Sequence, residues 1–124
     1  MQADLISYLL NNANITVDAF YPSVAPTDPE TPFGVWSTND NRSPYDGFDG
    51  VSALKEMDIQ LDVYHADPSN AFFYAEEIIS QLEAFTGTMG SHYVDLIRVT
   101  NQQDGFEPVT SLYFYSILFT LSYR

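Results

Sequence analysis

Residues 57–87 read MDIQLDVYHADPSNAFFYAEEIISQLEAFTG, a strand pattern running almost directly into a helix pattern. Met57, Ile59, Leu61 and Val63 alternate with Asp58, Gln60, Asp62 and Tyr64. Successive strand side chains point to opposite faces, so the alternation predicts one buried and one wet face. Asp67-Pro68 then marks a helix start. A carboxylate there accepts from free first-turn amides, and proline suits the first helical position because its missing N–H has no helical partner. Ala71, Ala75, Ile78, Ile79, Leu82 and Phe85 follow at helical spacing, and Gly87 is placed to end a helix over 67–86. An amphipathic helix thus folds back on an amphipathic strand. No catalytic group sits at the junction, which favours a structural or assembly protein over an enzyme.

Working outward, Leu5, Ile6, Leu9 and Leu10 form one apolar stripe over 4–10, and Asn11-Asn12 ends that short helix. Residues 15–21 are β-prone and stop at Pro22. Pro22, Pro26, Pro29 and Pro32 make 22–32 an extended arm, because proline neither continues a helix nor donates to a central ladder. A short strand over 33–37 follows, then a turn-rich loop over 38–50 that is long for a compact domain and suited to ordering against a partner. A long strand is expected over 51–65, bent near Ala53-Leu54, another over 92–100, a turn at Asp104-Gly105, and a final strand over 110–123. In that last strand Tyr113, Tyr115, Ile117, Phe119, Leu121 and Tyr123 share one face, and Leu112, Phe114 and Leu118 the other. A strand apolar on both faces belongs in the middle of a sheet or at a subunit interface. The order α-β-β-β-α-β-β gives a single α+β domain over 1–124. Its sheet should be mixed, mostly antiparallel, with four to five strands and two flanking helices. Ile59, Leu61, Val63, Ile78, Leu82, Ile117 and Phe119 should form the core.

Composition narrows the function classes. The chain has 124 residues, 45% of them hydrophobic, with nine Phe, nine Tyr and one Trp, which supports a real core and argues against disorder. Cysteine is absent, so disulfide, thiolate and Cys-zinc chemistry are excluded. Residues 1–5 lack a basic region and an apolar run of a secretory signal, and no apolar stretch approaches the ~20 residues of a membrane helix. Seventeen acidic residues oppose four basic ones, for a formal charge of −13. Phosphate-contact binding of nucleic acid needs clustered Lys and Arg, so it is disfavoured, as is docking to an anionic membrane.

No chemistry assembles from motifs. His65 and His92 lack HxH or HExxH spacing, and no GxSxG elbow supports a nucleophile. The Asp46–Gly50 segment lacks the spaced ligands and terminal Glu of an EF-hand, and the glycines are too isolated for a phosphate loop. The sequence therefore points to no catalytic, metal-binding or cofactor-binding residue, and no cofactor is expected.

The order of features carries a resemblance. Val17-Asp18-Ala19-Phe20-Tyr21-Pro22 leads to Ala25-Pro26 and Pro32-Phe33-Gly34-Val35-Trp36. Asp46-Gly47 and Asp49-Gly50 then precede Asp58-Ile59-Gln60-Leu61-Asp62-Val63-Tyr64 and a helix with Ala75 and Ile78. Over about nine-tenths of its length, the chain resembles the tail terminator (tail completion) proteins of long-tailed bacteriophages, from which it departs in its acidity. The resemblance implies a homo-oligomeric ring, commonly a hexamer, in the virion tail or neck, assembled in the host cytoplasm. Such a ring caps the head-proximal end of the tail tube, stops tube growth and docks to the head–tail connector. DNA passes through without specific binding, and no reaction is catalysed. Ring contacts are then expected from the sheet edges and the 22–50 region, with Tyr21, Phe33, Trp36, Asp40, Tyr45, Asp46, Phe48 and Asp49 as interface candidates. The rival readings are another neck or tube ring protein and an acidic DNA mimic.

Overall fold

The computed structural model describes residues 1–27, 29–42 and 55–124, with backbone only over 39–42. The elements are α1 (Gln2–Leu10), β1 (Phe20–Pro22), β2 (Phe33–Arg42), β3 (Lys55–His65), α2 (Pro68–Glu83), β4 (Gly87–Met89), β5 (His92–Glu107) and β6 (Leu112–Tyr123). The strands form one six-stranded sheet in the order β1-β2-β3-β6-β5-β4. Only β1–β2 is parallel, and the other ladders are antiparallel. The α+β class holds, with one strand more than the largest expected number.

The strand–helix unit forms as its pattern dictates. Met57, Ile59, Leu61 and Val63 are buried, while the alternate residues of β3 stay half-exposed. The Asp67 carboxylate accepts from the amides of Ser69 (2.8 Å) and Asn70 (3.4 Å), and Pro68 occupies the first turn. Ala71, Ala75, Ile78, Ile79 and Leu82 of α2 join the β3 residues in the core, together with Leu5 and Leu9 of α1 and Ile117, Phe119 and Leu121 of β6. All seven residues named as core are buried. Both helices feed a single core on one face of the sheet, and no described helix covers the other.

β6, apolar on both faces, lies between β3 and β5, near the middle of the sheet. On the uncovered face its Thr120 hydroxyl donates to Asp58 (2.7 Å), and Gln60 of β3 donates to Asp62 and to Ser116 (both 3.3 Å). These bonds, two of them across β3 and β6, satisfy the polar half of the β3 alternation, as a half-open sheet requires.

Four local expectations are corrected. α2 ends at Glu83, not beyond, and Gly87 (φ +124°) opens the three-residue strand β4, which is too short to show a period. Asp104-Gly105 is not a turn. It lies inside β5, which pairs with β6 through Glu107, and the chain reverses at 108–111 with Ser111 at φ +58°. The Phe114 ring lies where a Cβ on Gly105 would stand, so this glycine makes room for cross-strand aromatic packing. The β-prone segment over 15–21 contributes only Phe20–Pro22 to the sheet, while Ile15 and Val17 are buried in the connection. Finally, β2 runs past residue 37 to Arg42 and so takes the start of the expected loop. The remainder of that loop, and the expected strand start at 51–54, lie outside the described residues.

Candidate interaction surfaces

The register places the start of β2, the end of β3, the start of β6 and the end of β5 at one end of the sheet, beside the start of α2. There Phe33 stacks on Tyr64 (5.0 Å between ring centres, 6° between planes), and Tyr21 meets Phe33 edge-on at 6.0 Å. Tyr64 packs in turn against Phe114 at 5.6 Å. This aromatic row crosses β2, β3 and β6 on the uncovered face. Burial, reinforced by the Asp62 and Glu107 charges, raises the Tyr64 pKa above the ordinary phenol value, so the ring stays neutral.

The proline-rich arm passes over the same end. With Phe33, Val35, Tyr64, Val109 and Leu112 it encloses a groove of about 790 Å³. On the helix side of the β5–β6 hairpin lies a second groove of about 350 Å³, walled by Pro68, Phe72, Tyr113 and Tyr115. Among the described residues, most of the exposed large apolar side chains lie around the two grooves, while Leu10, Tyr93 and Leu96 are exposed elsewhere. Val109 at the hairpin tip is 91% exposed, Phe106 is 50% and Phe72 is 48%, joined by Val24, Phe73 and Tyr113.

The residues singled out from sequence separate. Tyr21 is half-buried in the aromatic row. Phe33 is 3% exposed, packs on Tyr21 and Tyr64 of its own chain, and lines the floor of the larger groove. Trp36 is half-buried against the core, opposite Leu61. Asp40 pairs in register with Asp58 beyond an irregularity in β2. Tyr45, Asp46, Phe48 and Asp49 lie outside the described residues. Phe72, Phe106, Val109 and Tyr113 were not anticipated. One signal for them is legible: Phe72-Phe73-Tyr74 is a run of three rings on a helix whose buried stripe is set by Ala71, Ala75 and Ile78, so all three cannot face inward.

At the other end, Ser91, His92 and Asp4 meet. His92 Nδ1 and Asp4 Oδ2 are 2.6 Å apart, and both the amide and the hydroxyl of Ser91 donate to the same Oδ2 at 3.0 Å. The Ser91 hydroxyl reaches His92 at Nδ1 as well, 3.3 Å away. A nucleophile relay needs the acid and the hydroxyl on opposite ring nitrogens. Here they share one, so the cluster is a staple that ties α1 to the β4–β5 turn. Its bonds, His92 first and Ser91 next, hold the Asp4 carboxyl below its ordinary value of 3.8. Among the described residues, no cluster of His, Asp and Glu is arranged to hold a metal ion. No described helix is long and apolar enough to cross a membrane.

No protein-family model matches the sequence, and no curated protein matches it. Among solved structures, the fold is similar to that of a chain in the virion of native gene transfer agent (GTA) particle. The TM-score is 0.71 at 14% identity, over 99% of this chain and 93% of that one. At that identity the likeness establishes the shared fold, over essentially the whole of both chains.

Proposed function

We propose that the protein is a structural subunit of a phage-like virion, forming a ring that caps the head-proximal end of the tail tube. The observation that carries the virion reading is the whole-length fold likeness to a chain of a gene transfer agent virion. The ring role rests on the resemblance to tail terminators and on a surface with two unlike ends. One end of the sheet carries exposed apolar side chains and two grooves, suited to a tube or connector subunit. The other carries the Asp4–His92 staple and a groove of about 450 Å³, walled largely by polar residues, between α1 and the β4–β5 turn. Heterologous contacts that close make rings, and a terminator must bind the tube on one face while offering no tube-like surface on the other.

In this reading the subunit catalyses nothing and needs no cofactor. Six copies at −13 each carry 6 × 13 = 78 formal negative charges. The uncovered sheet face, which carries Asp58 and Asp62, is the proposed channel lining, where like charge keeps DNA moving. Negative-stain electron microscopy of the protein, alone and with a tail-tube subunit, tests the reading. Closed rings, or tubes capped and shortened by the protein, are expected. Long tubes from the protein alone would make it the tube subunit, and monomers indifferent to the tube would overturn the ring role.

A further inference from the structure

The groove on the helix side of the β5–β6 hairpin combines two properties that fit one kind of occupant. Its walls are aromatic: Phe72 meets Tyr115 edge-on at 5.3 Å beside Tyr113, and Phe72 and Tyr113 stay substantially exposed, while Phe106, outside the lining, packs on Tyr113 at 4.9 Å. Its rim is acidic. Asp104 lines the groove, and Glu76 stands one helical turn after Phe72. Asp104 pairs in register with Tyr115, and Glu76 follows Phe72, whose ring touches Tyr115, by one helical turn; burial first, then the Glu76 and Asp104 charges, raises the Tyr115 pKa. Among the described residues the ion pairs join Asp4 to His92 and Arg124 to Asp95, so neither Glu76 nor Asp104 faces a cation of its own.

We infer that this groove docks an arginine-bearing segment of a partner protein, the guanidinium lying against Tyr115 and Phe72 and pairing with Glu76 and Asp104. A planar guanidinium is weakly hydrated, stacks on aromatic faces and forks onto carboxylates, so it satisfies walls and rim together, which an aliphatic or acidic side chain does not. A different protein suits the site better than a second copy. Each copy brings 17 acidic residues against four basic ones, and Arg124 is already engaged by Asp95 and by the Tyr93 ring. The inference stands whether or not the protein forms a ring.

The test is a titration of the full chain, followed by NMR of the Phe72, Tyr113 and Tyr115 ring signals. Two synthetic capped peptides serve as probes, Gly-Arg-Leu-Arg-Gly and Gly-Glu-Leu-Glu-Gly. The arginine peptide should shift those signals and bind at least about fivefold more tightly than the glutamate peptide, with the difference shrinking in high salt. The double variant Glu76→Lys, Asp104→Lys, whose sites lie at the surface, should retain the native circular dichroism spectrum and reverse the preference. Equal response to both peptides, or a preference unchanged in the double variant, would overturn the inference. So would ring signals that shift on concentrating the protein alone and cease to do so in Phe72→Ser, since a second copy would then be the occupant.

Discussion

Two truncations on α2, Ile78→Ala and Phe72→Ala, separate the residues that hold the fold from those that face outward. Ile78 is fully buried beneath the sheet, so its truncation removes buried methylenes and leaves a cavity that a two-layer core closes only in part. Buried Ile→Ala changes cost about 2–5 kcal/mol, and alanine's better helix propensity returns about 0.5, leaving roughly 3 kcal/mol here. Phe72 keeps 48% of its surface in water. Roughly half of the ~2 kcal/mol for burying a phenylalanine is at stake, and the same propensity gain reduces the loss to about 0.5 kcal/mol. At about 4 °C per kcal/mol for a domain of this size, Ile78→Ala should lower Tm by about 12 °C and Phe72→Ala by about 2 °C. Urea and thermal unfolding followed by circular dichroism, at a concentration where sedimentation shows monomers, reads both without contribution from association. A Phe72→Ala loss as large as that of Ile78→Ala would refute the assignment of α2's faces, and with it the claim that the hairpin end is a surface held open for a partner.

Other outcomes follow from the two helix ends. Asp4 has a lowered folded-state pKa, so its contribution to stability is present above the unfolded value of 3.8 and is lost as pH falls through the lower folded value. Wild type should therefore exceed Asp4→Asn in Tm near neutral pH, and the two should converge in strong acid. An Asp4→Asn deficit that persists there would remove the staple from the explanation. Gly90 sits at φ +60°, and a Cβ there would collide with the Asp4 carboxylate. Gly90→Ala should cost about 1–2 kcal/mol for the backbone conformation alone. In a double-mutant cycle with Asp4→Asn the combined loss should be less than additive, because both changes break one cluster. Asp67→Ala should cost about 1 kcal/mol through loss of the α2 cap, and Asp67→Ser should recover most of it. Urea midpoints of the two variants check this.

The legible part of the protein was the part written in local periodicity. The alternation of Met57–Val63, the Asp67-Pro68 start and the Ala71–Leu82 stripe each specify a buried face without reference to any other segment, and all three hold. The two-sided apolar character of Leu112–Tyr123 likewise put β6 in the middle of the sheet. Asp104-Gly105 misled because turn chemistry was weighed without its partner strand. β6 offers a full ladder as far as Leu112, and the Phe114 ring fills the space that the missing Gly105 side chain leaves.

Interface residues were legible to a much smaller degree, for a physical reason. Whether an aromatic ring faces water depends on which distant segment arrives beside it. Phe33 is hidden because β3 brings Tyr64 into stacking contact and β1 brings Tyr21 to its edge. Phe106 and Tyr113 are open because β5 and β6 run past the start of α2, where no described element covers them. Sequence alone determined β3, α2 and β6, their inward faces and the α+β class, since periods of 2 and 3.6 are properties of a single segment. Only the tertiary structure decided that Phe72, Phe106 and Tyr113 gather at one end of the sheet, since that depends on the register between strands far apart in the chain.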